Sequence, residues 1–321
     1  SCRSPCVRSV ATSNRTGTSL PPRAGFRTWE PHLYPPPAVS RLPRLSPSTY
    51  RRITLVALVA LCAIIVTGGA VRLTGSGLGC SDWPGCEESH FVAPLELRPM
   101  VEFVNRLVTG VVSAAIALAV LGSLRRDPRR RDLTWLSLGL VAGVIGQIVL
   151  GMFTVKYELA PPFVMGHFLL SLVLVANAVA LHERAADTPS LSAAVSPLVR
   201  RLALGLLPAL AVAVVAGTVV TGTGPHGGDE AAPRFGFDIE TVTRVHSIAV
   251  IAFVLLLLAV IGRAGQEGAP ALLQERARQA LVVACAQAGI GWVQWFAGVP
   301  ALVVGLHVLG ATLTWWATCR V

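Results

Sequence analysis

Eight apolar runs restrict the folds open to this chain more than any other feature of it: Ile53–Val71, Val101–Leu124, Leu133–Phe153, Pro161–Leu181, Leu202–Thr221, Val245–Ile261, Ala280–Ala297 and Pro300–Thr318. A helix needs about 20 mostly apolar residues to cross roughly 30 Å of hydrocarbon, so each run has the length of one crossing. Period-2 alternation is absent, which argues against a membrane β-barrel. Composition agrees. Of 321 residues, 53% are hydrophobic and 14% charged, with a mean hydropathy of +0.63, whereas soluble domains carry roughly 25% charged residues. The same numbers exclude disordered, collagen-like and coiled-coil chains, and 7 cysteines spread over this length do not make a disulfide-dense secreted scaffold. The expected fold is an all-α integral membrane protein with eight transmembrane helices.

The formal net charge of +10 is almost entirely arginine, since Lys156 is the single lysine. The arginines lie between apolar runs rather than together on a folded face, so no nucleic-acid partner is expected. The second connection carries Arg125, Arg126, Arg129, Arg130 and Arg131, the fourth Arg184, Arg200 and Arg201, and the sixth Arg263, Arg276 and Arg278. The odd connections are mixed or acidic, with Asp82, Glu87, Glu88, Glu96, Glu158, Asp229, Glu230, Asp238 and Glu240. Arginine-rich short loops stay in the cytoplasm. Both termini of a multi-pass cell-membrane protein are therefore expected there, with the odd connections outside. Residues 1–52, rich in proline, serine and arginine with Glu30 as the only acid, read as a disordered basic cytoplasmic tail; the same composition also suits a transit peptide. Cys2, Cys6 and His32 fall in that stretch.

The first four runs resemble the last four. The first ends Gly69-Ala-Val-Arg72-Leu-Thr74-Gly-Ser-Gly77, and the fifth reads Gly217-Thr-Val-Val-Thr221-Gly-Thr-Gly224. Gln147-Ile-Val-Leu-Gly151 is matched to Gln294-Trp-Phe-Ala-Gly298, and Gly166-His167 to Leu306-His307. Units with an even helix count share one orientation and are related by an axis along the membrane normal. The expected architecture is two duplicated four-helix bundles in parallel orientation, residues 53–182 and 202–321, joined by a cytoplasmic linker, 183–201.

Polar side chains inside a membrane are costly and mark functional candidates. Counted at ~1.5 Å per residue from the outer boundary, Asn105, His167, His246 and His307 share one depth on helices two, four, six and eight. Under the duplication His246 pairs with Asn105 and His307 with His167. Neutral imidazole is an ordinary axial ligand of haem iron, and bundle interiors hold such cofactors. His246 and His307 are candidate ligands of a six-coordinate haem in the second half. In the first half His167 faces Asn105, a poor iron ligand, which suits oxygen chemistry better than electron transfer. The alternative is that each histidine only bonds a neighbouring helix.

Glu102 lies one turn outward from Asn105 on the same face. It is a candidate acid, base or proton relay, or else an interfacial residue paired with Arg106. Arg72, Arg106 and Arg244 stand at outer helix ends, either to hold haem propionates in bidentate pairs or to anchor helices. Cys80-Ser-Asp-Trp-Pro-Gly-Cys86 is a turn in an oxidising compartment, so a Cys80–Cys86 disulfide is expected, as a staple or as a redox pair. Cys62, Cys285 and Cys319 read as packing residues, His226 as a cover for the second site, His182 as a helix-end residue and His90 as a loop residue.

These motifs resemble the haem A synthase family, of the actinobacterial or Gram-positive kind. The resemblance rests on Thr67-Gly-Gly-Ala-Val-Arg72-Leu-Thr-Gly-Ser-Gly77-Leu-Gly-Cys80-Ser-Asp-Trp83-Pro84-Gly-Cys86, on Glu102-Phe-Val-Asn105-Arg106-Leu-Val-Thr-Gly110, and on Gly166-His167, Arg244-Val-His246 and Leu306-His307. It implies conversion of haem O to haem A for an aa3-type cytochrome oxidase, by two hydroxylations of the methyl group at ring position 8 and loss of water to a formyl group. It further implies a resident haem b on His246 and His307, haem O in the first half, and a requirement for Glu102. Haem O synthase and an electron donor are the implied protein partners beside membrane lipid, and a homo-oligomer is compatible with it. The family commonly has histidine where this chain has Asn105, which leaves His167 as the sole strong ligand in the first half. Two rivals remain at this stage: a b-type electron carrier resting on His246 and His307 alone, and a transporter built on parallel repeats.

Overall fold

The computed structural model describes residues 44–80, 86, 92–186 and 195–321. Most of the basic tail and most of the Cys80–Cys86 loop lie outside these residues, as do His32 and His90. Eight helices follow in order: α1 Pro47–Leu73, α2 Leu97–Arg125, α3 Arg131–Lys156, α4 Pro161–Arg184, α5 Pro197–Thr223, α6 Ile239–Gln266, α7 Ala271–Phe296 and α8 Ala301–Thr318. No strand occurs among the described residues, and the all-α membrane fold expected from the apolar runs is the fold observed.

The helices overrun the apolar runs because polar caps extend them. Ser46 accepts from the Thr49 amide and Ser196 from the Val199 amide, each at 3.2 Å, with proline following at the first helical position. A serine cap and a proline at that position satisfy and remove, respectively, amides that no helical carbonyl can reach. α1 therefore begins six residues before its apolar run, inside the stretch assigned from sequence to the tail. α6 is capped by Asp238, which accepts from the Thr241 amide at 2.8 Å. α7 begins nine residues before its run, so Arg276 and Arg278 lie on a helix rather than in a loop. Seven of the helices are long and apolar enough to cross a bilayer. α7 is the exception, because its first turns carry Gln274, Glu275, Arg276, Arg278 and Gln279.

Helices α1 to α4 form one ring, with α1 beside α2 and α4, and α3 beside α2 and α4; α5 to α8 repeat the arrangement. The rings meet where α1 packs on α8, α4 on α5 and α4 on α8. Exchanging the halves turns the first of these contacts into the second and leaves the third unchanged, as a two-fold axis between α4 and α8 requires. The turns obey the same relation. Glu158 and Leu159 between α3 and α4 have φ of 50° and 60°, and Gly298 and Val299 between α7 and α8 have 77° and 60°.

The structure corrects one element of the duplication. Gln147 on α3 donates through Nε2 to the His167 carbonyl at 3.0 Å, and Gln287 on α7 donates to the His307 carbonyl at 2.8 Å. Both glutamines are the seventeenth residue of their helix, and both stand 20 residues before the histidine they brace. Gln147 is thus equivalent to Gln287 and not to Gln294. The sequence offers two Gln-x-x-x-Gly patterns on the seventh helix, and only the packing against α8 selects between them.

The halves are also joined at both ends. At the odd-loop end, the Gly77 amide donates to the Gly228 carbonyl at 2.9 Å. At the other end, Glu183 of α4 accepts from Arg276 of α7 at 2.5 Å and from Arg320 at 3.3 Å, and the Arg320 guanidinium stacks on Trp316 at 4.7 Å.

Candidate functional site

All four even helices begin at the odd-loop end, which sets the depth of their side chains. His167 and His307 are each six residues beyond the first residue of their helix, His246 seven and Asn105 eight. At ~1.5 Å per residue the four lie within about 3 Å of one another in depth. The helix starts thus give the four positions similar depths.

In the second half, His246 Nδ1 lies 2.8 Å from the Ala213 carbonyl. A carbonyl only accepts, so Nδ1 carries the proton and Nε2 keeps its lone pair. A backbone carbonyl behind the ring fixes a metal-ligating imidazole in this way. Glycine makes room for the ring: a Cβ at Gly217 would stand 2.9 Å from His246 Cε1. His307 repeats the device, with a Cβ at Gly291 coming to 3.0 Å of its Cε1. His307 Nδ1 is buried with no hydrogen-bond partner among the described residues. Two imidazoles on facing helices, each seated on glycine, form a donor set that fits an iron macrocycle between them.

The first half differs at one of its two positions. His167 sits beside Gly151, at an ordinary 3.6 Å from a Cβ there, and its buried Nδ1 has no partner among the described residues. Across from it, Asn105 accepts through Oδ1 from Thr67 Oγ1 at 2.8 Å. Thr67 is the twenty-first residue of α1, and Gly217 is the twenty-first of α5. Where the second half has a glycine under an imidazole, the first has a hydroxyl bonded to an amide.

Glu102 stands one turn outward from Asn105 and is only 6% exposed. Its Oε1 accepts from Arg106 Nη2 at 2.5 Å and its Oε2 from the Cys80 amide at 2.9 Å. The pairing with Arg106 expected for an interfacial residue is present, but the pair is buried, with side-chain exposures of 8% and 18%. Cys80 and Cys86 form the expected disulfide. Gly79 lets the loop approach α2: a Cβ there would lie 2.7 Å from the Arg98 backbone, which cannot yield. The disulfide loop and Arg106 together orient the carboxylate.

The other arginines have separate tasks. Arg72 crosses to the second half, donating through Nε to the His226 carbonyl at 2.5 Å and through Nη2 to the Thr221 carbonyl at 2.8 Å. His226 in turn bonds the Val299 carbonyl through Nε2 at 2.8 Å, tying the α5–α6 loop to the α7–α8 turn. Arg244 pairs with Glu240 at 3.0 Å in the open, with side-chain exposures of 75% and 62%. It is two residues from His246, and residues so spaced do not share a helix face. Sequence reasoning quoted Thr67 and Gly217 within motifs without giving them a role, and missed Gly291 and Gln287. Aligning each helix on its observed first residue brings out all four.

Between the outer ends of α1 and α2 lies a groove of about 540 Å³, whose lining includes Thr67, Ala70, Met100, Val104 and Asn105. Among the described residues no three histidine, cysteine or carboxylate side chains converge.

Known proteins resemble the chain over part of its length. A heme A synthase of Lysinibacillus sphaericus is 33% identical over 122 residues, 37% of this chain and 39% of that protein. One of Shouchella clausii is 27% identical over 165 residues, covering 50% and 54%, and one of Shewanella oneidensis is 26% identical over 147 residues, covering 40% and 43%. The matched part thus spans between about two fifths and about half the length of these relatives. Residues 51–226, which hold α2 to α5 and all but the first four residues of α1, with Glu102, Asn105 and His167, match the family model described as cytochrome oxidase assembly protein. The chain belongs to the COX15-CtaA family of cytochrome oxidase assembly proteins.

Proposed function

We propose that this multi-pass membrane protein converts haem O to haem A, oxidising the methyl group at ring position 8 to a formyl group and supplying an aa3-type cytochrome oxidase. The observation that carries the reading is the asymmetry of the polar layer. One half has two imidazoles seated on glycines, and the other has one imidazole opposite an amide, with a buried carboxylate a turn away. The relatives' name points the same way.

In this reading His246 and His307 hold haem b in the second half, which when bound supplies one-electron transfer. The first half receives haem O as substrate, with His167 as its protein ligand. Asn105, fixed through Oδ1 by Thr67, closes the opposite face without competing for iron. Two hydroxylations, with the oxygen donor and the electron donor supplied from outside the chain, take the methyl carbon to a gem-diol. Loss of water then needs a base for one hydroxyl proton and an acid for the departing hydroxyl. Glu102 is the carboxylate on that face, and its two oxygens are held by Arg106 and the Cys80 amide. General acid–base groups of this kind act when their geometry is set beforehand. Haem O synthase is the partner that supplies the substrate. The arginine-rich even connections support a topology with both termini in the cytoplasm and the histidines and Asn105 toward the outer face of the cell membrane.

The test is expression of the full chain in a haem-O-producing host that lacks haem A, followed by mass analysis of extracted pigments. Haem A is expected. Haem b and haem O alone would remove the proposal and leave a b-type electron carrier.

A further inference from the structure

The two halves repeat their helices but not their seams. Between α5 and α6 the seam is closed. Phe235 of the connecting loop packs its ring on Gly222 of α5, its amide donates to the Gly222 carbonyl at 3.0 Å, and Phe237 lies against it with ring centroids 5.3 Å apart. Deeper in the same seam, Gly217 and the Ala213 carbonyl close on His246. Between α1 and α2 the corresponding place is the groove of about 540 Å³, within the ~300–1,000 Å³ of small-molecule sites. Leu95 and Leu97 at its mouth are 97% and 73% exposed, and Val104 along its wall is 48% exposed. Its inner end is the hydrogen-bonded pair of Thr67 and Asn105, the first-half counterparts of Gly217 and His246.

We propose that this seam receives the isoprenoid tail of haem O, with the hydroxyl at the tail's root placed at Asn105 and Thr67. The inference rests on the reading of haem O as substrate. Haem O differs from protohaem in carrying a long hydroxyalkyl isoprenoid chain in place of one vinyl group. That chain is polar next to the ring and apolar beyond it. The groove has a similar order, with an amide and a hydroxyl at its inner end, Ala70, Met100 and Val104 along it, and Glu96 beside Leu95 and Leu97 at its solvent-facing mouth. It is continuous with the layer in which the macrocycle must lie, since Asn105 belongs to both. A half that keeps its haem has no need of a lateral opening, and the second half has its seam closed. A half that must admit a membrane-borne substrate and release a product with the same tail needs one. The α1–α2 seam is then both the route from the bilayer and the element that sets the rotation of the macrocycle. A fixed tail leaves one edge of the ring, and hence one methyl group, beside Glu102.

The experiment uses the full chain in detergent, titrated with haem O and separately with protohaem, and scored by absorbance and by extracted product. Val104→Trp fills the groove. Leu118→Trp puts the same bulk on an exposed position of α2 (56%) that is not in the groove lining. The proposal expects Val104→Trp to weaken haem O about tenfold (~1.4 kcal/mol), to leave protohaem within about twofold, and to leave the haem b spectrum intact; Leu118→Trp should change none of these. Equal losses for both haems, or no loss for haem O, would overturn it, the latter placing a lipid acyl chain in the groove instead. Should Val104→Trp fail to fold, Ala70→Leu replaces it, with the same two ligands. The two readings fail separately. Wild-type protein that forms no haem A yet loses selectivity in Val104→Trp would refute the enzyme reading alone.

Discussion

Removing the positive partner of Glu102 offers the sharpest test of the candidate site. The carboxylate side chain is 8% exposed and that of Arg106 18%, so water does little to screen the pair. Arg106→Met keeps the bulk and the helix while leaving a buried carboxylate with the Cys80 amide as its remaining donor from this pair of contacts. Breaking a buried ion pair from one side costs about 3–5 kcal/mol, because the remaining charge is uncompensated. Glu102→Gln should cost less, on the order of 1–3 kcal/mol, since an amide oxygen still accepts from Cys80 and Arg106 reaches solvent more easily. The double variant removes both charges and should be more stable than the sum of the singles predicts, by about 0.5–3 kcal/mol. The cycle separates the pair from the other contacts of Arg106. Denaturation of the full chain in detergent gives the energies, and formation of haem A gives the function. All three variants should lose turnover, whereas only Arg106→Met should lose most of its stability. A cost under about 1 kcal/mol for Arg106→Met, the value of an exposed pair, would refute the reasoning.

Further outcomes follow from the same geometry. Gly217→Ala brings a Cβ to 2.9 Å of His246 Cε1, whereas Gly151→Ala stays at 3.6 Å of His167 Cε1; the first should lose the bis-histidine haem spectrum while the helix stays folded, and the second should keep it. Full pigment in Gly217→Ala would count against His246 as a ligand. Hydrogen bonds from the Thr241 side chain and amide hold the Asp238 carboxyl below its ordinary range. The cap therefore contributes stability above the ordinary carboxylate pKa and loses it as pH falls through the lowered value. Acid unfolding of Asp238→Asn should be correspondingly less steep, and superimposable profiles would contradict this. Burial pushes the Cys319 thiol up to about 12, so iodoacetamide at neutral pH should leave it unmodified until the protein is denatured; rapid native labelling would show the thiol accessible.

What the sequence made legible was whatever a helix transmits along itself. Run length gives the number of helices, and a fixed rise per residue turns position into depth, so the layer of Asn105, His167, His246 and His307 could be placed without coordinates. The Cys80–Cys86 bond was legible because a short loop with turn residues keeps both thiols close. What depends on how two helices face each other was not legible. Arg72, at an outer helix end, was open to propionates or an interface. Its actual partners, the Thr221 and His226 carbonyls, are some 150 residues away. Gln294 and Gln287 each head a Gln-x-x-x-Gly pattern, and nothing local prefers one. Glu102 shows both sides: its spacing from Arg106 gave the pair, while its burial comes from a loop that folds back over α2.

The difference between Asn105 in the first half and His246 in the second is also better understood as a difference at two positions. Aligned on their serine caps, α1 and α5 place Thr67 where Gly217 stands. Gly217 leaves space for the His246 ring that no side chain can share, since even a methyl group would lie 2.9 Å from Cε1. Thr67 fills the matching space and bonds Asn105 at 2.8 Å. Asn105→His alone should therefore fail to give a second bis-histidine site. Its ring would meet the Thr67 side chain, and forcing either group about 30° off its rotamer costs roughly 0.5–1.5 kcal/mol. Thr67→Gly together with Asn105→His restores the arrangement of the second half, at a helix-propensity cost of only a few tenths of a kcal/mol. In haem-loaded protein the double variant should show two low-spin bis-histidine haems by electron paramagnetic resonance, where the wild type and Asn105→His show one. A bis-histidine signal of equal size from Asn105→His alone would mean that Thr67 does not guard the position, and that the halves differ by one residue and not by a coupled pair.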